Sequence, residues 1–207
     1  MKPKAKRQTD PAIALARREQ ILTAAAECFR RKGYHGAGMA EISKTAGMSA
    51  GHIYNYFESK EAIIESIIEK DMEEMFSIFQ KFEDHPGDVL AALLDGLNIG
   101  VQRHMDTGSC VIDLDMMAEA GRNVKVASLL RDMDTQARGR MRQLLTSERS
   151  ALKDIDELEL ESRINVIFSM MAGLLLRKLL YPELTEKTVL IALRPAMKTL
   201  LMPFDKA

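Results

Sequence analysis

The chain has 207 residues, is 46% hydrophobic and carries 29 basic against 30 acidic side chains, a net charge of −1. That length supports one large or two modest domains with ample core, and it excludes a membrane span, since the longest apolar run, Val166–Leu176, is short and broken by Ser169. The near-neutral total hides an asymmetry: residues 1–60 hold eleven Lys/Arg and five Asp/Glu, a net +6, while the rest carries −7, a split that assigns a polyanionic partner to the first part only.

Residues 1–12 form a basic, Pro-bounded arm with Lys2, Lys4, Lys6 and Arg7, and no apolar run follows it as in a secretion signal. A first helix is expected over 13–32, with Ile21, Ala24, Ala25, Cys28 and Phe29 as its buried stripe and Gly33 as its stop. Residues 38–57, GMAEISKTAGMSAGHIYNYF, read as two short helices around a tight turn. Met39–Ala46 turns Ile42 and Ala46 inward. Gly47 takes the left-handed backbone that ends a helix, and Ser49 caps the next one. Ala50–Phe57 is the second helix, anchored by Ile53 and Phe57, with Ala50, Gly51, His52 and Asn55 outward and Tyr54 and Tyr56 at its edges. A helix-turn-helix of this kind lays its second helix in the major groove of DNA.

Ser59 caps a long fourth helix running to about Phe82, with Ile64, Ile67, Ile68, Met72, Met75 and Phe79 on one face. After His85-Pro86-Gly87, helices are expected at 88–104, 109–120, 123–147, 156–181 and 186–202, making about nine in all, and no strand pattern of useful length is present. The helix at 109–120 contains Leu114, Met117 and Ala118. The helix at 156–181 is apolar around most of its circumference, so it must be buried on two sides. One side serves its own core and the other a second subunit, with Gly173 permitting close approach. Pro195 lies inside the last helical pattern and should kink it. The reading is all-α: an arm (1–12), a helix-turn-helix domain (13–60, motif 38–57) and a second helical domain (61–207).

The elements RRKGYHGAG, EISKTAGMSAGHIYNYF and ESKEAII follow one another at a spacing that resembles the DNA-binding domain of the TetR family of bacterial transcriptional regulators, from Arg17 to about Lys70. Where that family usually has Thr or Ser to cap the second helix and touch a phosphate, this chain has Ala37-Gly38. The resemblance implies a cytoplasmic, nucleoid-associated homodimeric repressor that leaves a pseudo-palindromic operator when a small molecule binds. Some proteins of this fold are instead ligand-independent architectural or division-site DNA binders.

Site residues follow from both readings. DNA contacts are expected from Lys4, Lys6, Arg7, Gly38, Met39, Ser49, Ala50, Gly51, His52 and Asn55. Asn bonds adenine in two places and His donates to guanine or phosphate. The resemblance adds Tyr54, Tyr56 and Lys60 as phosphate clasps, although either tyrosine also reads as part of the core. It also pairs the last two long helices into a four-helix interface, for which Ile167, Met170, Gly173, Leu174, Arg177, Leu193 and Met197 are the candidates. Asp113, Asp115 and Glu119 lie among Cys110, Met116 and Met117. They form either an exposed acidic face or, with Met72, Met105, Met133 and Phe168, the lining of a pocket for a lipophilic cation. Cys28 and Cys110 read as buried free thiols, with a redox pair as the alternative. His35, His52, His85 and His104 lack metal-ligand spacing and there is no CxxC, so neither a metal nor a cofactor is expected. The lack of a phosphate loop, a nucleophile elbow or a convergent catalytic set speaks against an enzyme.

Overall fold

The computed structural model describes residues 10–204, which contain ten helical segments and no strand. Two compact units divide the chain, Met1–Glu69 and Lys70–Ala207. The helix α4 (Lys60–Glu83) runs from one into the other.

The first unit holds α1 (Pro11–Gly36), α2 (Met39–Thr45), α3 (Ala50–Ile53) and the start of α4. The Asp10 side chain accepts from the Ala12 N–H at 2.9 Å, and Pro11 stands where its missing donor costs nothing. Gly33, with φ 71° and ψ 165°, breaks the regular helix inside α1 and turns Tyr34 back against Phe29, ring centroids 5.5 Å apart. The core is small and aliphatic: Ile21, Ala25, Cys28 and Phe29 of α1 meet Ile42, Ile53, Phe57, Ile63, Ile64 and Ile68, all buried.

The second unit holds α5 (Val89–Asp95), α6 (Leu97–Met105), α7 (Thr107–Ala120), α8 (Val124–Leu145), α9 (Glu157–Leu180) and α10 (Glu186–Leu200). Its core joins Phe79, Leu93, Val101 and Met105 to Met141, Leu145, Leu160, Ile164, Ile167, Leu193 and Met197. Most starts carry a side-chain cap, from Asp88, Asp106, Asn123, Asp156 and Thr185 in turn. Arg138 and Arg142 of α8 both grip Glu161 of α9. The Arg149 guanidinium donates to the carbonyls of Glu83, His85 and Gly87, closing the end of α4.

Two expectations change, the helix over 88–104 and the length of α3. The single helix expected over 88–104 breaks at Gly96 into α5 and α6, so the nine helices become ten segments. A Cβ at Gly96 would lie 2.3 Å from Cε1 of Phe82, so only a residue without a side chain fits beside that ring. On α7 the inward residues are Cys110, Ile112, Met116 and Glu119, whereas Met117 is 56% exposed and Ala118 is exposed as well. The expected α3 also shortens. Regular helix ends at Ile53, and tighter hydrogen-bonded turns carry the chain to Phe57 through Asn55 N–H to His52 O and Tyr56 N–H to Ile53 O. α10 continues through Pro195.

Candidate nucleic-acid interface

The turn between α2 and α3 is built by two backbone hydrogen bonds, Gly47 N–H to Lys44 O at 3.1 Å and Met48 N–H to Ser43 O at 2.9 Å. With Gly47 at φ 64° this is a Schellman closure, which needs a residue content with left-handed backbone. Ser49 then accepts from the His52 N–H at 3.2 Å and starts α3. Gly38 is the N-cap of α2 and gives no side-chain cap, as expected from a residue without a hydroxyl.

Ile53 and Phe57 are buried and pin the recognition segment, leaving Ala50, Gly51, His52, Tyr54 and Asn55 exposed on its outer side. Ser49 is exposed at its start, and Met39 and Tyr56 are half-buried. The His52 and Tyr56 rings lie 5.5 Å apart at 30°, so these two side chains form one tilted stack on the outer face. Lys4, Lys6 and Arg7 fall outside the described residues.

Lys60 is committed inward to a degree the sequence did not reveal. Its ammonium donates to the Tyr34 carbonyl at 2.7 Å and sits 4.3 Å from the centre of the Tyr34 ring. The Tyr34 hydroxyl in turn donates to Glu61, whose carboxyl lies below its ordinary range, first through its backbone hydrogen bond and then through Ser59 and Tyr34. Arg31 and Lys32 are likewise drawn to Glu41, at 3.5 and 2.9 Å. Two contacts were missed from sequence: Arg18 of α1 bonds the Tyr56 carbonyl near the end of the recognition segment, and Gln20 bonds the Ala46 carbonyl at the end of α2, before the turn. Both residues read as ordinary polar surface, and only the fold brings them to those carbonyls.

In the second unit the effector candidates divide. Met105, Met116 and Glu119 are buried, while Met72, Asp115, Met133 and Phe168 are half-buried. Glu119 lies 3.7 Å from Arg122. Asp113 is pushed up to about 6, first by burial and then by the nearby charge of Asp71. Burial also raises Asp71, which Arg103 approaches at 3.4 Å. Burial lowers His104, and its Nδ1 lies 2.8 Å from the Gly100 carbonyl. Cys28 and Cys110 are both buried free thiols, one in each unit. Among the described residues there is no group of three His, Cys, Asp or Glu able to hold a metal, and no helix long and apolar enough to cross a membrane.

The expected interface residues also divide, and here the reading needs correction. Ile167, Leu174, Leu193 and Met197 are buried in the unit's own core and offer a partner little surface. The outer face of α9 instead carries Val166, Met170, Gly173, Arg177 and Leu180 at alternating spacings of four and three, one continuous stripe. Val166 is 42%, Leu180 70% and Ile191 of α10 72% exposed.

Residues 21–67 match the model of the bacterial regulatory proteins of the tetR family. The transcriptional regulator UidR of Escherichia coli K12 is 33% identical over 121 residues, 56% of this chain and 57% of that protein, so the chain spans little more than half the length of this curated relative. The solved structure of Salmonella enterica GusR superposes with a TM-score of 0.73 at 26% identity, covering 95% of this chain and 99% of that one. Bacillus subtilis FadR in complex with stearoyl-CoA shares the fold, with a TM-score of 0.69 at 18% identity over 90% of this chain and 99% of that one. The helix-turn-helix and these relatives agree: residues 21–67 carry the DNA-binding domain of the TetR family of bacterial regulatory proteins, and the whole chain shares the fold of GusR.

Proposed function

We propose that this protein is a DNA-binding transcriptional regulator, a homodimer that represses from a pseudo-palindromic operator and is released by a small molecule. One observation carries the reading. The segment 49–57 is anchored from beneath by buried Ile53 and Phe57 and presents His52, Tyr54 and Asn55 to solvent on one side. An outward Asn and His on such a segment match base edges in a major groove, and small Ala50 and Gly51 permit close approach. The exposed apolar stripe of α9, with Ile191 of α10, supports the second subunit, because a monomer rarely leaves so many large apolar side chains wet. Two recognition segments related by a two-fold axis then enter successive major grooves.

For the effector, the buried Glu119 and Met116 beside half-buried Asp115 support a lipophilic cation. The stearoyl-CoA held by FadR is an anion, so the two chemistries separate cleanly. A ligand releases operator only as far as it binds the non-operator conformer better.

The test is selection of bound fragments from genomic DNA, followed by titration of the selected duplex. Enrichment of one two-fold sequence bound at one dimer per site is expected. Binding without sequence preference would overturn the repressor reading in favour of an architectural one. Operator release by quaternary ammonium compounds and not by acyl-CoA would support the cation, and the converse would remove it.

A further inference from the structure

The recognition segment is short, and a short helix does not hold its own orientation. Its regular turn spans only Ala50–Ile53, and the chain then tightens towards Phe57. What fixes its aim must come from outside it. Two side chains of α1 reach carbonyls on either side of the turn and segment, at the end of α2 and at Tyr56. The Gln20 amide donates to the Ala46 carbonyl at 2.7 Å, just before the turn that leads into the segment. Its other end is oriented by Arg17, whose guanidinium donates to Gln20 Oε1 at 2.7 Å. The Arg18 guanidinium donates to the Tyr56 carbonyl at 3.2 Å, where the segment ends. It also donates to Ser66 Oγ at 3.2 Å and lies 4.4 Å from the centre of the Phe57 ring.

We propose that Arg18 and Gln20 are positioning residues for DNA readout: Arg18 holds the far end of the recognition segment onto α1, Gln20 holds the end of α2 that leads into the turn, and together they set the angle at which His52 and Asn55 meet the bases. The inference rests on the DNA-binding reading above. The chemistry favours a clamp over a direct phosphate contact. Arg18 spends its fork on a carbonyl, a hydroxyl and an aromatic face at once, a geometry that a planar guanidinium fills and a lysine ammonium does not. The Tyr56 carbonyl has lost its helical donor, because the helix ends before it, so Arg18 supplies a bond the backbone lacks. The effect is transmitted by one residue: Tyr56 carries both the clamped carbonyl and the ring stacked on His52. A small rotation at the clamp therefore moves two outward side chains together.

The experiment uses the full chain and two duplexes, the selected operator and a random sequence of equal length, titrated across a range of salt. Arg18→Ala and Arg18→Lys should each reduce the operator-to-random affinity ratio about tenfold. The slope of log affinity against log salt should stay that of the wild type. Gln20→Glu, which sets a carboxylate against the Ala46 carbonyl, should lower the same ratio. Thermal melting of each variant checks that it is folded at the assay temperature. An unchanged ratio in folded Arg18→Ala would reduce Arg18 to a purely structural residue and overturn the inference. A slope shallower by about 0.9 per half-site in Arg18→Ala, restored by Arg18→Lys, would make it a phosphate contact and overturn it too. A wild type that itself prefers no duplex would bring down the DNA-binding reading and this inference with it, an outcome told apart because it needs no variant.

Discussion

The guanidinium of Arg163 lies 3.7 Å from the centre of the Phe204 ring. Beneath that ring Arg163 is only 2% exposed, donating to the carbonyls of Leu200 and Met202 and to Glu159 one turn earlier. One buried cation thus terminates α10 by satisfying carbonyls that the helix leaves open. Removing it strands those acceptors. Arg163→Ala is expected to destabilise the fold by about 2–3 kcal/mol, chiefly through the unsatisfied carbonyls, since Glu159 is 42% exposed. Phe204→Ala, at a half-exposed position, should cost about 1 kcal/mol or less. Chemical denaturation measures both, and equal losses for the two would show that the stack, not the carbonyl bonds, does the holding.

Acid should stabilise one part of the second unit. Asp113 stands at about 6, above its ordinary 3.8, because burial and then Asp71 disfavour its charge. The folded state therefore binds this proton more readily than the unfolded one. Stability from this group is complete below about pH 4 and is lost as pH rises through about 6, by up to about 3 kcal/mol. His104 works the other way. Burial lowers it from 6.5, so its contribution falls as pH drops through that value. A difference measurement isolates the aspartate. Asp113→Asn should raise Tm at about pH 7, and the gain should vanish towards about pH 4. A gain that is the same at both would remove Asp113 from the account.

Gly96→Ala should be destabilising despite the better helix propensity of alanine. The added methyl meets the Phe82 ring at 2.3 Å, and overpacking of this kind costs about 1–3 kcal/mol. Gly96→Ala combined with Phe82→Leu should recover part of the loss. A double mutant less stable than the two losses added together would show that the ring is not the cause.

What was legible in the sequence was mostly local. Gly47, Ser49, Ile53 and Phe57 each stand within four residues of the next, and spacing alone revealed their roles. The close approach at Gly96 was not legible, since it involves a ring fourteen residues earlier, on another helix. Nor was the outward face of α9. A helix apolar all round has no periodicity to say which side meets the core, so Ile167 and Met170 looked equivalent until packing separated them. Lys60, Arg18 and Gln20 were opaque for a related reason. Their partners are backbone carbonyls, which leave no trace in side-chain pattern.

Readout and grip should separate by mutation. Asn55 is exposed on the recognition segment, and Asn55→Ala is expected to cost about 1–3 kcal/mol per half-site on the operator, with little effect on random DNA. Lys60→Ala should instead lower Tm as well as affinity, because it removes the bond to Tyr34 at 2.7 Å. Competition binding with both duplexes is the measurement. Equal loss on operator and random DNA for Asn55→Ala would reassign that side chain to the phosphate backbone.

Assembly provides the sharpest contrast between the two faces of α9. A Cβ at Gly173 meets nothing within 4 Å in the single chain, so Gly173→Arg should leave the subunit folded. The same side chain would stand in the middle of the stripe that runs from Val166 to Leu180, the face proposed to meet a partner helix. Gly173→Arg and Ile191→Glu should each give a folded monomer that has lost operator affinity, since one recognition segment alone cannot span two half-sites. Ile167→Ala, on the buried side, should do the opposite: it loses about 2–5 kcal/mol of stability yet still pairs when folded. Sedimentation alongside thermal melting distinguishes the two classes. If Gly173→Arg remains a dimer with wild-type operator binding, the interface lies away from this stripe and the symmetry argument must be rebuilt on another face.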